Sequence, residues 1–315
     1  MKMDKKWIAV IAIVVIAIVA CGAYFMMGSD SDVVRIGHLP SDHDSAMYVA
    51  QAQKQYEAQG LKVEFTEFNN GGDLMTAMAS GDIDVGYLGI TPVMSSIEKG
   101  VPVKVISGAQ TEGSALVVAS DSPIKSVKDL KGKSVATPGE ASIQYMLLQY
   151  ALENNGLKMK DVKSTSMKVS SMCDALNAGK VDAIMVYEPY ASIATSQKYG
   201  KVLMDSGDII PEHPCCVVAA REDFIKNHPN ETKKILAIHE NATNYVNANP
   251  SEAIKLLPKN IVANAEVQAE VLDEINFISG LDDDYKKSVM DFMQIEVKMG
   301  VLKQPLTQDQ IFANI

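Results

Sequence analysis

The sequence predicts an α/β fold of two similar lobes that face each other across a cleft. Two observations carry this prediction. The first is a repeat: Ala77-Met-Ala-Ser-Gly-Asp-Ile-Asp84 returns as Ala175-Leu-Asn-Ala-Gly-Lys-Val-Asp182, with Ala, a large apolar residue, Gly, a β-branched residue and Asp at the same offsets. Each copy reads as the last turns of an amphipathic helix, a Gly in the left-handed conformation, and a buried strand. The second is the polar loop with proline after each strand, Gly89-Ile-Thr-Pro92 in one copy and Tyr187-Glu-Pro-Tyr190 in the other. In open α/β sheets, ligands bind beyond the carboxyl ends of strands, so two such ends face to face define a cleft.

In chain order, 33–37 reads as a strand, 38–45 as a polar loop, and 46–59 as a helix closed by Gly60. A strand at 61–68 and an Asn/Gly turn at 69–72 come next, and Asp73 is the expected N-cap of a helix ending at Ser80. After the strand 83–88, Thr91 is the expected cap of the next helix, with Pro92 at its first position and Gly100 as its stop. With a strand at 103–107, this alternation is the pattern of a parallel sheet wrapped by helices. An apolar strand at 115–119 precedes the charged, Pro- and Gly-punctuated 122–132, where the chain is expected to pass to the second lobe. That lobe is read as strand 134–137, loop 138–142, helix 143–154, strand 162–169, the second repeat and a helix at 191–199, and the apolar run 215–220 returns. The remainder reads as helices at 222–227, 231–248, 251–257, 264–279 and 283–299, with caps such as Asn230 and Asp282 and stops at Gly280 and Gly300; this tail is expected on the first lobe. The expected division is therefore 1–32 as leader and tether, 33–118 plus 218–315 as lobe 1, and 119–217 as lobe 2.

The chain has 315 residues, 47% hydrophobic and 22% charged, enough for two lobes with real cores. Its net charge of −10 argues against nucleic acid, which needs a basic face, and against an anionic-membrane patch. A small anion is still allowed, because one or two local donors act against a distant background that salt screens over about 8 Å. Lys2, Lys5 and Lys6 precede the apolar run 7–27, which at about 20 residues is long enough to cross a bilayer. Within it, Ile18-Val19-Ala20-Cys21 is similar to a lipoprotein cleavage box. Two readings stay open, export with lipidation of Cys21 or an uncleaved anchor helix. Both place the lobes on the extracytoplasmic face of the cell membrane, since the lysines favour the inside.

Anion donors are expected at helix N-termini, where backbone N–H groups and the helix dipole point outward. The candidates are the amides following Gly89, Ile90 and Thr91 and those from Gly139 to Ser142, with the hydroxyls of Thr91 and Ser142 either contacting ligand or only capping. Further candidates are His38, Ser41, Asp42 and His43 in the first loop, Asn70 in the turn, and Gln110 in the turn at 108–113. Tyr145 and Tyr187, with Tyr48, offer apolar faces to the organic part of a solute, or are core aromatics. Glu188, on the loop of the second repeat, either contacts a polar group or caps its own lobe. The arginines, Arg35 and Arg221, leave a bidentate clamp open.

Two residue sets are metal-capable: His38, Asp42, His43 and Asp44 in one loop, and His213, Cys215 and Cys216 in another stretch. Neither has Cys-x-x-Cys or His-x-x-x-His spacing, so no metal and no other cofactor is expected. Cys173 reads as a buried hydrophobe, and Cys215 and Cys216 are expected on opposite faces of a strand, unpaired. No Gly-x-Ser-x-Gly elbow occurs, and Gly132-Lys-Ser134 lacks the Gly that a phosphate loop needs where Val127 stands, so the chain is read as a non-enzyme.

The segment 121–135 resembles the start of the second lobe in solute-binding proteins of ABC importers. Together with 81–92, 181–190 and the lipoprotein box, it is similar to the nitrate/sulfonate/taurine (NitT/TauT) family. The resemblance implies a type II periplasmic-binding-protein-like fold, mainly parallel sheets joined by two crossing strands with a helical tail, closing over a solute. It implies a receptor that docks on ABC permease subunits; the chain itself is expected to be a monomer. The best match in solute is an organosulfonate of the taurine kind, with nitrate or bicarbonate next. The alternative from the same superfamily is a pyrimidine-precursor binding protein or a pyrimidine-synthesising enzyme. In some members the position of Glu188 contacts a ligand's polar or amino group. The chain departs from the family at Tyr187-Glu188, where a Trp is common, and at the His- and Asp-rich loop 38–44.

Overall fold

A computed structural model describes residues 33–262, 268, 271, 272 and 275–315. The expectations for 7–27 and Cys21, and much of the expected helix 264–279, lie outside the described residues.

The first half of the chain gives β1 (Val34–His38), α1 (Ser45–Ala52), β2 (Val63–Glu67), α2 (Gly71–Ser80), β3 (Val85–Gly89), α3 (Ile90–Glu98), β4 (Val103–Thr111) and β5 (Ser114–Ala119). The second lobe adds β6 (Ser134–Thr137), α4 (Ile143–Asn154), β7 (Lys163–Ser166), α5 (Val169–Asn177), β8 (Ala183–Tyr187), α6 (Tyr190–Ser196) and β9 (Gly200–Asp205). The chain continues with β10 (Pro214–Arg221), α7 (Pro229–Ala248), β11 (Asn276–Phe277) and α8 (Asp283–Lys298); single-turn helices are left unnumbered.

The strands form two sheets, ordered β2-β1-β3-β10-β4-β11 and β7-β6-β8-β5-β9. The two orders superimpose if β1 matches β6, β2 matches β7, β3 matches β8, β4 matches β9, and β10 matches β5. In each sheet the inner strand comes from across the cleft: β5 follows β4 yet pairs with β8 and β9, and β10 follows β9 yet pairs with β3 and β4. Those pairings are antiparallel, so the sheets are mixed, and the parallel part is β2-β1-β3 and β7-β6-β8. The chain thus changes sheet between Thr111 and Ser114 and again before Pro214, earlier than residue pattern places both crossings. A fully apolar strand such as β5 is buried in either sheet, so its composition does not say which one takes it.

The repeat acts as one device used twice. Gly81 and Gly179 both end helices with positive φ, +87° and +64°. The Asp that comes after then ties the strand entrance. Asp84 Oδ2 accepts from the Arg35 backbone N–H at 2.9 Å, and Asp182 Oδ2 accepts from the Ser134 backbone N–H at 2.8 Å. Each Asp returns its own N–H to the same neighbour's carbonyl.

Apolar packing joins the lobes. One buried cluster takes Leu74 from α2, Met94 from α3, Leu147 from α4 and Phe292 from α8. Each such side chain contributes about 1.5–3 kcal/mol relative to exposure. The tail completes the first lobe: β11 extends its sheet beside β4, and His239 of α7 donates Nε2–H to Gly108 O at 2.9 Å. Among the described residues no helix is long and apolar enough to cross a membrane.

Two caps differ from expectation. Asn70 rather than Asp73 caps α2, its side chain accepting from Asp73 N at 2.9 Å. Gly89 precedes α3, and Thr91 lies inside it with its hydroxyl bonded to Glu296 of α8.

Candidate functional site

The carboxyl ends of β1, β3 and β8 and the start of β10 meet at one place. Around it the lobes enclose a cavity of ≈ 20 Å³, lined by Leu39, Ser41, His43, Asp44, Asn70, Gly71, Gly89, Pro92, Pro138, Ser142, Ile143, Gln144, Tyr187 and Cys216. That is the room of about one water molecule. The N-termini of α2, α3 and α4 all open on it, through Gly71, Gly89 and Ile143.

Of the residues singled out in the sequence, Ser41, His43, Asn70, Gly89, Ser142 and Tyr187 line the cavity. His38, Asp42, Ile90, Thr91, Gln110, Gly139, Tyr145 and Glu188 do not. Glu188 caps α6, its Oε2 accepting from Ser192 N at 3.0 Å. Its carbonyl accepts the Ser41 hydroxyl at 2.9 Å, a bond from one lobe to the other. The guanidinium of Arg35 is held by Asp84 and that of Arg221 by Asp223. Both line a separate surface hollow, so neither clamps a cavity ligand.

The loop after β1 is bound inward. Ser41 Oγ accepts from His43 N at 3.1 Å and Leu39 N donates to Asp44 Oδ2 at 3.0 Å. Gln268 Nε2 donates to Asp42 Oδ2 at 2.6 Å, while Asp42 Oδ1 is buried without a partner among the described residues. Burial pushes Asp44 up to about 8, against the Leu39 amide that holds its charged form. Burial likewise raises Asp42 and Glu188, with Asp42 adding to the effect on Glu188. His38 is turned away, its Nδ1 3.2 Å from the Tyr48 hydroxyl, and burial lowers its pKa.

The sequence missed one grouping. Sequence spacing set His43 with its loop neighbours and the cysteines with His213, but the fold takes one set's histidine and the other set's thiols. Register shifts in β10 around Cys216 turn both neighbouring sulfurs to one place, 3.9 Å apart, where a regular strand would oppose them. His43 Nδ1 lies 3.8 Å from Cys215 Sγ and 3.5 Å from Cys216 Sγ. His213 instead donates Nδ1–H to Ile210 O at 2.7 Å and stacks on Phe292. The signals available in sequence were the Cys215-Cys216 pair and the His-rich loop; the contact between them spans 172 residues. Burial opposes a charged His43, yet the adjacent Cys215, Asp42 and the Gly113 carbonyl raise it to about 9. The Cys216 thiol, and then His43, drive the Cys215 thiol well down.

Two α/β lobes, two crossing strands and an enclosed cavity at facing strand ends define the type II periplasmic-binding-protein fold. Within that class the chain belongs to the NMT1-like family, whose pattern matches residues 28–259. It is 30% identical over 218 residues to the taurine-binding periplasmic protein of Escherichia coli (strain K12), covering 68% of this chain and 66% of that one. The alkanesulfonate-binding protein SsuA of Xanthomonas axonopodis pv. citri, bound to MOPS, superimposes with a TM-score of 0.79 at 19% identity, over 90% of this chain and 99% of that one. The periplasmic aliphatic sulphonate binding protein SsuA of Escherichia coli does so with a TM-score of 0.74 at 24% identity, over 91% and 93%.

Proposed function

We propose that the chain is the extracytoplasmic solute-binding component of an ABC importer and captures a small anion between its lobes. An organosulfonate of the taurine kind stands first, with nitrate and bicarbonate next. The observation that carries the anion is the convergence of three helix N-termini on one cavity, each bringing the positive end of a helix dipole to it. Amides of α2, α3 and α4 grip the oxyanion, while the Asn70 side-chain amide adds a contact and Tyr187 covers the organic part; the Ser41 and Ser142 hydroxyls donate instead to Glu188 O and Gly139 O. Glu188 acts across the cleft by tying its loop to Ser41. Taurine binding by a 30% identical relative supports the sulfonate class. A cavity of ≈ 20 Å³ is smaller than any organosulfonate, so the lobes part to admit one.

The test is a thermal shift of the full chain with taurine, longer alkanesulfonates, nitrate, bicarbonate and pyrimidines. A ligand at a hundred times its Kd stabilises by about 2.7 kcal/mol. A sulfonate-dependent rise in Tm is expected; no shift with any of the anions sinks the reading. Product formation from a pyrimidine precursor in the same samples would favour the enzyme alternative.

A further inference from the structure

We infer that His43, Cys215 and Cys216 form a three-ligand site for one thiophilic cation of the Zn²⁺ type at the base of the inter-lobe cavity. It shares that cavity but does not rest on the sulfonate reading.

All three residues are buried, and their ligand atoms lie within 4.8 Å of one another. A tetrahedral ion with bonds of about 2.3 Å to sulfur and 2.0–2.1 Å to nitrogen has S···S edges of about 3.8 Å and S···N edges of about 3.6 Å. The edges here are 3.9 Å for S···S and 3.5 and 3.8 Å for S···N. An ion therefore seats with shifts of a few tenths of an ångström.

The supports are also in place. His43 Nε2 donates to Gly113 O at 2.7 Å, which leaves Nδ1 as the ring atom facing the sulfurs. A metal-bound imidazole is oriented in this way, by a partner on its other nitrogen. Gly113 makes that approach possible: its φ is +77°, and a Cβ there would lie 2.4 Å from His43 Nε2. The register shift in β10 is what brings two consecutive thiols to one ion. His43 and Cys216 line the cavity, so a fourth position opens on a space the size of a water molecule. Three protein ligands with one open position mark an ion that meets water or solute rather than a closed structural site. Two thiolates balance the dication, and binding releases the protons held on His43 Nδ1 and on the sulfurs.

The experiment uses the full chain, reduced and stripped of metal, with no solute added. Zn²⁺ is titrated against a chromophoric chelator, and Co²⁺ is followed by its thiolate charge-transfer absorption. One equivalent is expected, with a Zn²⁺ shell of two sulfurs and one imidazole nitrogen by X-ray absorption. Cys215→Ser and Cys216→Ser each weaken binding about tenfold or more, whereas Cys173→Ser leaves it unchanged. A shell of oxygen and nitrogen only, no stoichiometric binding, or equal affinity in the Cys215→Ser/Cys216→Ser double variant overturns the inference. If the variants fail to fold, the absorption shell of the unaltered chain decides alone. A sulfonate-induced thermal shift without metal binding removes this inference and leaves the anion reading standing, and the reverse result does the opposite.

Discussion

Glu296 has no exposed surface, its Oε1 meets the Thr91 hydroxyl, and its Oε2 has no partner among the described residues. Burial pushes its pKa to about 8, against the Thr91 bond that favours the charged form. A raised carboxyl binds a proton in the folded chain that the unfolded chain has already released. Its contribution is therefore full below about 4.5 and is lost as pH rises to about 8. His239 has the opposite sign: burial lowers it to about 4, so stability is full above 6.5 and is lost as pH falls toward 4. Glu296→Gln should flatten the alkaline limb of a Tm-against-pH curve and His239→Gln the acid limb, each leaving the other limb in place. A curve unchanged in both variants contradicts the assignment. At the two strand entrances, Asp84→Asn and Asp182→Asn each exchange a carboxylate for an amide. Loss of the charge-assisted bonds to the backbone is expected to cost about 1–3 kcal/mol, with the larger loss at the more buried Asp84, read as a fall in urea midpoint at constant m.

At the scale of elements, the repeat was legible because its signals are local. A Gly that must adopt positive φ, a helix stop and a β-branched start are set within eight residues, and both copies adopt them. The caps were less legible. Asn70 and Asp73 are both good N-cap residues three positions apart, so residue type fits a helix that starts after either. The thiol pair was not legible, since strand alternation puts neighbours on opposite faces, and a bulge depends on what the partner strands allow. The short connection 112–113 between the sheets is equally position-dependent. Gly113→Ala forces a positive-φ alanine onto His43. It is expected to destabilise the chain by about 1 kcal/mol or more, and to displace the imidazole from the thiols, which a shift in the His43 ring resonances reports.

At the scale of the molecule, the cleft is closed by few polar ties and a shared apolar cluster. The Ser41 hydroxyl bond to Glu188 O connects the loop after β1 to the loop after β8, and Gln149 Nε2 of α4 donates to Met299 O at 2.9 Å. Ser41→Ala removes one tie without touching either core. Losing a net ~1 kcal/mol of closed-state bonding is expected to raise the solute Kd roughly fivefold. Small-angle scattering should also show a larger radius of gyration before solute is added. Unchanged affinity and radius would mean that the apolar cluster alone holds the lobes together.

Residue order by itself determined the alternation of strands and helices, the doubled unit, the helices of the tail at 229–248 and 283–298 and which loops stand at strand ends; within the expected helix 264–279, Asn276–Phe277 is instead a strand beside β4. These come from periodicity, capping and glycine conformation, all acting over a few residues. It did not determine which sheet receives β5 and β10, because apolar strands are equally at home in either. Nor did it determine that His43 meets Cys215 and Cys216, or that Arg35 and Arg221 are spent on Asp84 and Asp223. Those pairings depend on how the finished fold sets strands and loops beside one another. Packing and hydrogen bonding select them only once both lobes exist.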